Sequence, residues 1–505
     1  MNIIDYVVVG SYLLMICGLG LFYSRSVQTE NDYYVGTKTA PWWAIGLSVL
    51  ATYVSALSFL GGPAWAYGDG MAAMAIHIQY PLVLFVCVAY FIPFFYKSGL
   101  VSIYDYFEKR FGKKTKLFMS LLFMVATSIA IGSILTATGI AASYATGMNP
   151  EIAILVMISI ACLYTILGGM NAVIWTDVLQ SFIFIGVALF VFFSLIDGNV
   201  FTSLDEVGKL KQNWSIDPAI ASTMWAGVIA MTFYHITVYG AGQMMVQRVL
   251  AAKSIGDAKK AYLFVGYAAF FVYLMFFMIG GMLYLYYDGA VFDNTNTIIL
   301  EYVSGMGIAG LLGLVIVAVL SASMSSVSSA LNSLTTVTMN DFFPNKDLSF
   351  ARKLTFGWAI ISALVAMQFL GSTGSILETL SAVGSYFVGA KFAAFYLGFF
   401  SKRVKERELL IGILIGFIGV AGAAVYTDIA WPWYAVIGSL LTIIPAEIIA
   451  RSNLARWHKY SVPGQQAKYK DRTEDGWYLA PGKFEKPTQG LIALFVVILL
   501  WINLI

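Results

Sequence analysis

The chain has 505 residues, a formal net charge of +3, 59% hydrophobic residues and only 11% charged ones. A soluble surface needs roughly a quarter of its residues charged, so the composition excludes a soluble domain and points to a polytopic helical protein in a lipid bilayer, with no nucleic-acid partner expected. Cys17, Cys87 and Cys162 lie in apolar runs without metal-ligand spacing and read as small hydrophobes.

At about 20 residues per crossing, the apolar runs predict about fourteen spans. They lie near residues 3–23, 44–65, 73–96, 117–145, 151–169, 176–197, 222–247, 261–287, 306–339, 353–371, 376–400, 408–427, 431–450 and 488–505. The first run has no basic n-region and no A-x-A site, so it reads as a retained span. The second, PWWAIGLSVLATYVSALSFLGGPAWAYG, carries Tyr53, Ser55 and Ser58 mid-span, followed by Gly61-Gly62-Pro63. The seventh is interrupted similarly by His235, Gly240 and Gly242. Irregular backbone at membrane depth is tolerated where it lines a site, and two interrupted helices five spans apart are what a five-plus-five inverted repeat produces; a pair of glycine kinks without a ligand is the alternative.

Ionisable residues within spans are functional candidates by default. His77 stands in the third span and His235 in the seventh, each either a site residue or a neutral imidazole satisfied by a carbonyl. Asp177, early in the sixth span, is a site residue or an interfacial carboxylate. Lys391 in the eleventh is expected to snorkel towards Lys402 and Arg403, and Glu378 to sit at an outer helix end. In the ninth span, Ala322, Ser325, Ser326, Ser329 and Ser333 share a helical face. That stripe serves close helix packing, or its neutral oxygens hold an alkali cation.

Lys97, Lys109, Arg110, Lys113, Lys114 and Lys116 fall in one loop, Arg248, Lys253, Lys259 and Lys260 in another, then Lys402, Arg403, Lys405 and Arg407, then Arg451, Arg456 and Lys459. These alternate loops belong in the cytoplasm by the positive-inside rule, which puts both termini outside. Arg451 to Lys486 is then a cytoplasmic loop of mixed charge.

Four stretches carry a family resemblance: SIYDYFEKRFG from Ser102, LGGMNAVIWTDVLQ from Leu167, VYGAGQMMVQRVLAAK from Val238 and SSVSSALNS from Ser325. In this order they resemble the sodium:solute symporters, whose members include sodium/glucose, iodide, multivitamin, monocarboxylate, proline and sialic-acid cotransporters. The resemblance implies an all-α polytopic membrane protein of the leucine-transporter type. Spans two to eleven would form the inverted repeat, with one extra N-terminal and about three extra C-terminal spans. One transporter domain then covers 1–505: a leading span and loop (1–40), a core (41–403) and accessory spans with a cytoplasmic loop (404–505). It implies a main sodium site made by the carbonyls of Ala51, Val54 and Ala322 and the hydroxyls of Ser325 and Ser326. Some members hold a second sodium through the aspartate of T-D-x-x-Q, here Thr176, Asp177 and Gln180. Substrate-facing positions would be Tyr53, Ser55, Ser58, His77, Tyr239 and Gln243. The arginine that sialic-acid members place in the fourth span is Ala130 here, and the asparagine many relatives carry before the seventh-span glutamine is Gly242. VYGAGQMMVQR looks most like the iodide, vitamin and monocarboxylate branch.

The expected activity is therefore sodium-coupled uptake of a small organic solute by alternating access, with no covalent catalysis and so not enzymatic. Proton-coupled symport on the same fold is the alternative, with a transporter-like sensor or a channel behind it. With the arginine absent and Lys391 snorkelling away, the solute is expected to be neutral or zwitterionic.

Overall fold

The structure, a computed structural model, describes residues 1–25, 27–98, 100–370 and 376–503, with 376–380 and 383 described by their backbone alone. The expectation for the Glu378 side chain lies outside the described residues. Fourteen helices carry the architecture. They are α1 (Ile3–Ser24), α2 (Trp42–Tyr53), α3 (Ala56–Asp69), α4 (Lys113–Thr146), α5 (Pro150–Leu195), α6 (Met231–Ala241), α7 (Gln243–Leu250), α8 (Ile255–Tyr286), α9 (Leu311–Phe342), α10 (Leu348–Phe369), α11 (Ile376–Phe400), α12 (Glu406–Tyr426), α13 (Pro432–Ile449) and α14 (Lys486–Ile502). Among the described residues, nine helices are long and apolar enough to cross a membrane. Part of the difference from fourteen is geometric: α5 runs through two expected spans, the second and seventh spans are each cut into pieces, and α14 has only 17 residues.

α9 is the central element. Every residue from Val315 to Met339 is buried, so the helix has no lipid-facing stripe, and α5, α4 and α2 pack around it. α1 is the opposite case. Ile3, Leu14 and Phe22 are exposed, while Tyr12, Ile16 and Gly20 face α5 and α9. A capping box starts it: Asp5 N donates to Asn2 Oδ1 at 3.0 Å and Asn2 N to Asp5 Oδ2 at 2.7 Å. The other oxygen of Asp5 accepts from Gly313 N at 2.8 Å, so the carboxylate also caps the first turn of α9.

Within α5, Gly169 takes φ 51, ψ −148 and folds the helix sharply between the two expected spans. A Cβ there would stand 2.9 Å from Tyr33 Cα, a distance that requires movement of the backbone. Gly169→Ala is therefore expected to cost about 1–3 kcal/mol and to lower the unfolding temperature of the detergent-extracted protein; an unchanged melting curve would contradict this account of the fold in α5.

The loops segregate into two groups. Arg110 in the first basic loop donates to the carbonyls of Gly398, Ser401 and Val404, Arg456 N donates to Lys402 O, Lys97 pairs with Glu474, and Lys259 with Glu485. These contacts bring all four basic regions to one side. In the other group, Met71 N donates to Lys209 O, Ala430 N to Pro218 O and Tyr67 Oη to Ala290 O. The long polar loop holds a short helix, Val462–Tyr469, and a two-stranded antiparallel hairpin pairing Thr473 with Tyr478 and Glu474 with Trp477. Two members of the basic set are not loop residues in the ordinary sense: Arg248 and Lys259 are fully buried, in α7 and α8.

Candidate functional site

The helix formed by the second span stops at Tyr53 and restarts at Ala56. The break comes before Gly61-Gly62-Pro63, and Pro63 lies inside α3. Val54 (ψ 99) and Ser55 (ψ −179) are extended, and Ser55 Oγ accepts from Leu57 N at 3.2 Å, which begins the new helix. A helix that stops leaves its last four carbonyls without intrahelical partners. Val54 N takes that of Leu50 at 2.9 Å. Two others are met by the serine stripe of α9: Ser325 Oγ donates to Ala51 O at 2.9 Å and Ser326 Oγ to Thr52 O at 3.0 Å. The same two hydroxyls lie 3.0 and 3.3 Å from Ala322 O.

The structure thus brings Ala51, Ala322, Ser325 and Ser326 together, with Thr52 as a neighbour not anticipated from the motif. Val54 sits at the break itself, and among the described residues no donor meets its carbonyl. The oxygen set is neutral and hard, suited to a weakly held alkali cation. Among the described residues there is no group of three His, Cys, Asp or Glu for a transition metal.

One turn further along, α9 meets a charged cluster. Asp177 is buried, not interfacial. Its Oδ2 accepts from Ser48 Oγ at 2.6 Å and from Arg248 Nη2 at 2.9 Å. Arg248 also donates to Ser48 Oγ at 2.7 Å, to Met244 O at 2.6 Å and to Ser329 Oγ. A cation placed at Asp177 would share the carboxylate with a guanidinium already in place. Asp177 Oδ1 and the amide oxygen of Gln180 are buried without partners among the described residues, the kind of atoms an ion would satisfy. Thr176, the remaining residue of T-D-x-x-Q, bonds back to Ala172 O at 2.9 Å.

The seventh span breaks at Gly242 (φ −85, ψ 124), where α6 ends and α7 begins. A Cβ there would meet Val238 O at 2.2 Å, so only glycine fits. Between the two broken helices lies a cavity of about 300 Å³. Tyr53, Ser55, Ser58, His77 and Gln243 line it, as does Ser326 of the cation set. Tyr53 Oη lies 2.5 Å from His235 Nε2, Ser58 Oγ 3.0 Å from Tyr273 Oη, and His77 Nδ1 2.9 Å from Tyr80 Oη. His77 stacks on Tyr273 with ring centroids 3.9 Å apart. Gln79, whose amide is 2.5 Å from His235 Nδ1, completes the network. Tyr239 packs against Tyr53 at 5.2 Å behind the cavity wall, its hydroxyl without a partner among the described residues. Gln243 reaches the cavity, yet its amide is engaged by Ile103 N at 2.9 Å and Val101 O at 3.0 Å, which anchor the SIYDYFEKRFG loop.

Lys391 differs from its expectation. It lines the cavity and does not reach towards Lys402; its Nζ lies 6.0 Å from the ring centroids of both Tyr104 and Phe123. Residues that sequence reasoning passed over have identifiable reasons. Tyr273 is one aromatic within an apolar run, Gln79 lies among apolar neighbours, and Arg248 ends a span, where hydropathy assigns a loop.

Two broken helices, a cation-suited oxygen set and an adjoining cavity define a secondary transporter of the leucine-transporter type. The sodium:solute symporter family profile matches residues 33–416, and the chain belongs to that family. It is similar to the sodium/sialic acid symporter SiaT of Proteus mirabilis, 30% identical, over 88% of this chain and 95% of that one. It is also similar to sodium-coupled monocarboxylate transporter 2 of Bos taurus, 28% identical, over 85% and 74%. Among solved structures, the substrate-bound outward-open state of a Na+-coupled sialic acid symporter superposes with a TM-score of 0.82 at 28% identity, covering 90% of this chain and 99% of that one.

Proposed function

We propose that this protein couples sodium entry to the uptake of a small organic solute across the cytoplasmic membrane, by alternating access. The observation that carries the proposal is the junction of Ser325 and Ser326 with the carbonyls of Ala51, Thr52 and Ala322, directly at the break of the helix that lines the solute cavity. Sodium bound by these oxygens together with Val54 O ties the broken helix to α9. Ser326 belongs to both the cation set and the cavity wall, so the two ligands reinforce one another through a positive coupling energy. A membrane potential of 100 mV adds about 2.3 kcal/mol per charge, which sustains roughly fiftyfold accumulation for one ion. The basic loops face the cytoplasm in this reading, with both termini outside. Asp177 and Gln180 supply the oxygens for a second cation, with Arg248 as its competitor.

Solute specificity lies with Tyr53, Ser55, Ser58 and His77, backed by His235, Tyr273 and Tyr239. Gln243 acts mainly by holding the Val101–Ile103 backbone. The expectation of a neutral or zwitterionic solute rested in part on Lys391 snorkelling away, and Lys391 lines the cavity instead.

A thermal-shift screen of sugars, amino acids, vitamins and carboxylates, in sodium and in choline, tests the reading: a solute that stabilises the protein in sodium and far less in choline supports it, and equal shifts in both would oppose it. His77→Ala is expected to weaken the apparent affinity of that solute roughly tenfold while the stabilisation by sodium alone is unchanged. A silent His77→Ala would move the solute site elsewhere.

A further inference from the structure

We propose that Lys391 is the anchor for a carboxylate, so that the transported solute is a small organic anion with one carboxylate and an apolar or aromatic body. The inference deepens the uptake reading above and rests on it for the identity of the site.

Lysine on a membrane helix has two inexpensive options, reaching the interface or pairing with an acid. Among the described residues, Lys391 takes neither. It stands in the wall of the cavity between the broken helices, and no hydrogen bond or ion pair to it exists among the described residues. The faces of Tyr104 and Phe123, each 6.0 Å from Nζ, offset part of its lost hydration but neutralise none of its charge. Two buried carboxylates of the core have other partners: Asp177 is held by Arg248, and Asp341 by Lys116 and Ser120. A lysine in the wall of a solute cavity, without a partner among the described residues, favours an anion there, which would hold the amine in its ammonium form through a charge-assisted hydrogen bond.

The rest of the lining restricts that anion further. Met119, Leu122, Phe123 and Ile131 of α4 present an apolar wall beside Lys391. Tyr53, Ser58, His77 and His235 already share hydrogen bonds with one another or with Tyr273, Tyr80 and Gln79, so part of the capacity a polyol needs is taken up within the chain. A lysine supplies a single point charge without the paired fork of arginine, which suits one carboxylate.

The test uses matched pairs of equal size and shape that fit the cavity: benzoate and benzamide, nicotinate and nicotinamide, lactate and lactamide. Binding to the purified full-length protein is measured by calorimetry and thermal shift, in sodium and in choline with chloride fixed, for the unaltered chain, Lys391→Met and Lys391→Arg. The expected result is that at least one carboxylate binds roughly tenfold or more tightly than its amide, a difference of about 1.4 kcal/mol. Lys391→Met should lose that preference and Lys391→Arg largely keep it. The proposal is overturned if no carboxylate of the set binds, if the amides bind equally well, or if Lys391→Met retains the preference. Stabilisation by sodium alone checks that each variant is folded. Its absence in the unaltered chain would count against sodium coupling, whereas the carboxylate–amide comparison bears on Lys391 by itself.

Discussion

Uptake by the Ser325→Ala, Ser326→Ala double variant requires at least roughly tenfold more sodium for half-maximal rate. The two hydroxyls are the only side-chain oxygens in the proposed site, and each already spans from α9 to the end of α2, one to Ala51 O and one to Thr52 O. Removing both leaves carbonyls alone to replace the hydration of the cation, and a dehydrated ion is costly when under-coordinated. It also unties the broken helix from α9. Ser→Ala at buried helical positions removes little volume and slightly favours the helix, so the fold should persist. The readout is the sodium dependence of initial uptake, with the amount of folded protein measured in parallel. Folded protein with an unaltered half-saturation would place the coupling ion elsewhere.

The second large effect concerns the buried Asp177–Arg248 pair. Both side chains are fully excluded from solvent, and Arg248 joins Ser48, Ser329 and Met244 O in one cluster. Removing one member of such a pair leaves an uncompensated charge and typically costs 3–5 kcal/mol, whereas replacing both with neutral residues often costs little. Arg248→Met should therefore reduce the yield of folded protein and its unfolding temperature sharply. Adding Asp177→Asn should restore much of the loss, and Asp177→Asn alone should fall between. A double variant no better than Arg248→Met would mean that the pair is not the energetic unit described.

Much of this site was legible in the sequence because its chemistry is simple. The proposed sodium site, of hydroxyls and carbonyls, is marked in the sequence by serines three and four residues apart in an otherwise apolar span, and Ser325 and Ser326 meet the carbonyls of the broken helix. The interruptions were legible as well, although the reason for the first was not the glycine-proline run. The break falls at Val54–Ser55, where a serine begins a new helix, while Pro63 is absorbed into α3. The charged residues were less legible. Where a lysine or arginine near a span end points depends on which helices lie beside it, and that is tertiary information. Hydropathy assigned Arg248 to a loop and sent Lys391 to the interface, yet the fold turns both inward. Gln243 shows the converse problem: a residue at a substrate-facing position can be occupied by the backbone of a neighbouring loop.

Binding of radioactive sodium to the purified protein tests directly, and without knowledge of the solute, whether sodium is held where α9 meets the end of α2. Saturable binding that unlabelled sodium displaces and choline does not, weakened at least roughly tenfold in the Ser325→Ala, Ser326→Ala variant, is the predicted result. No saturable binding, or binding equally strong in the double variant, would contradict the account.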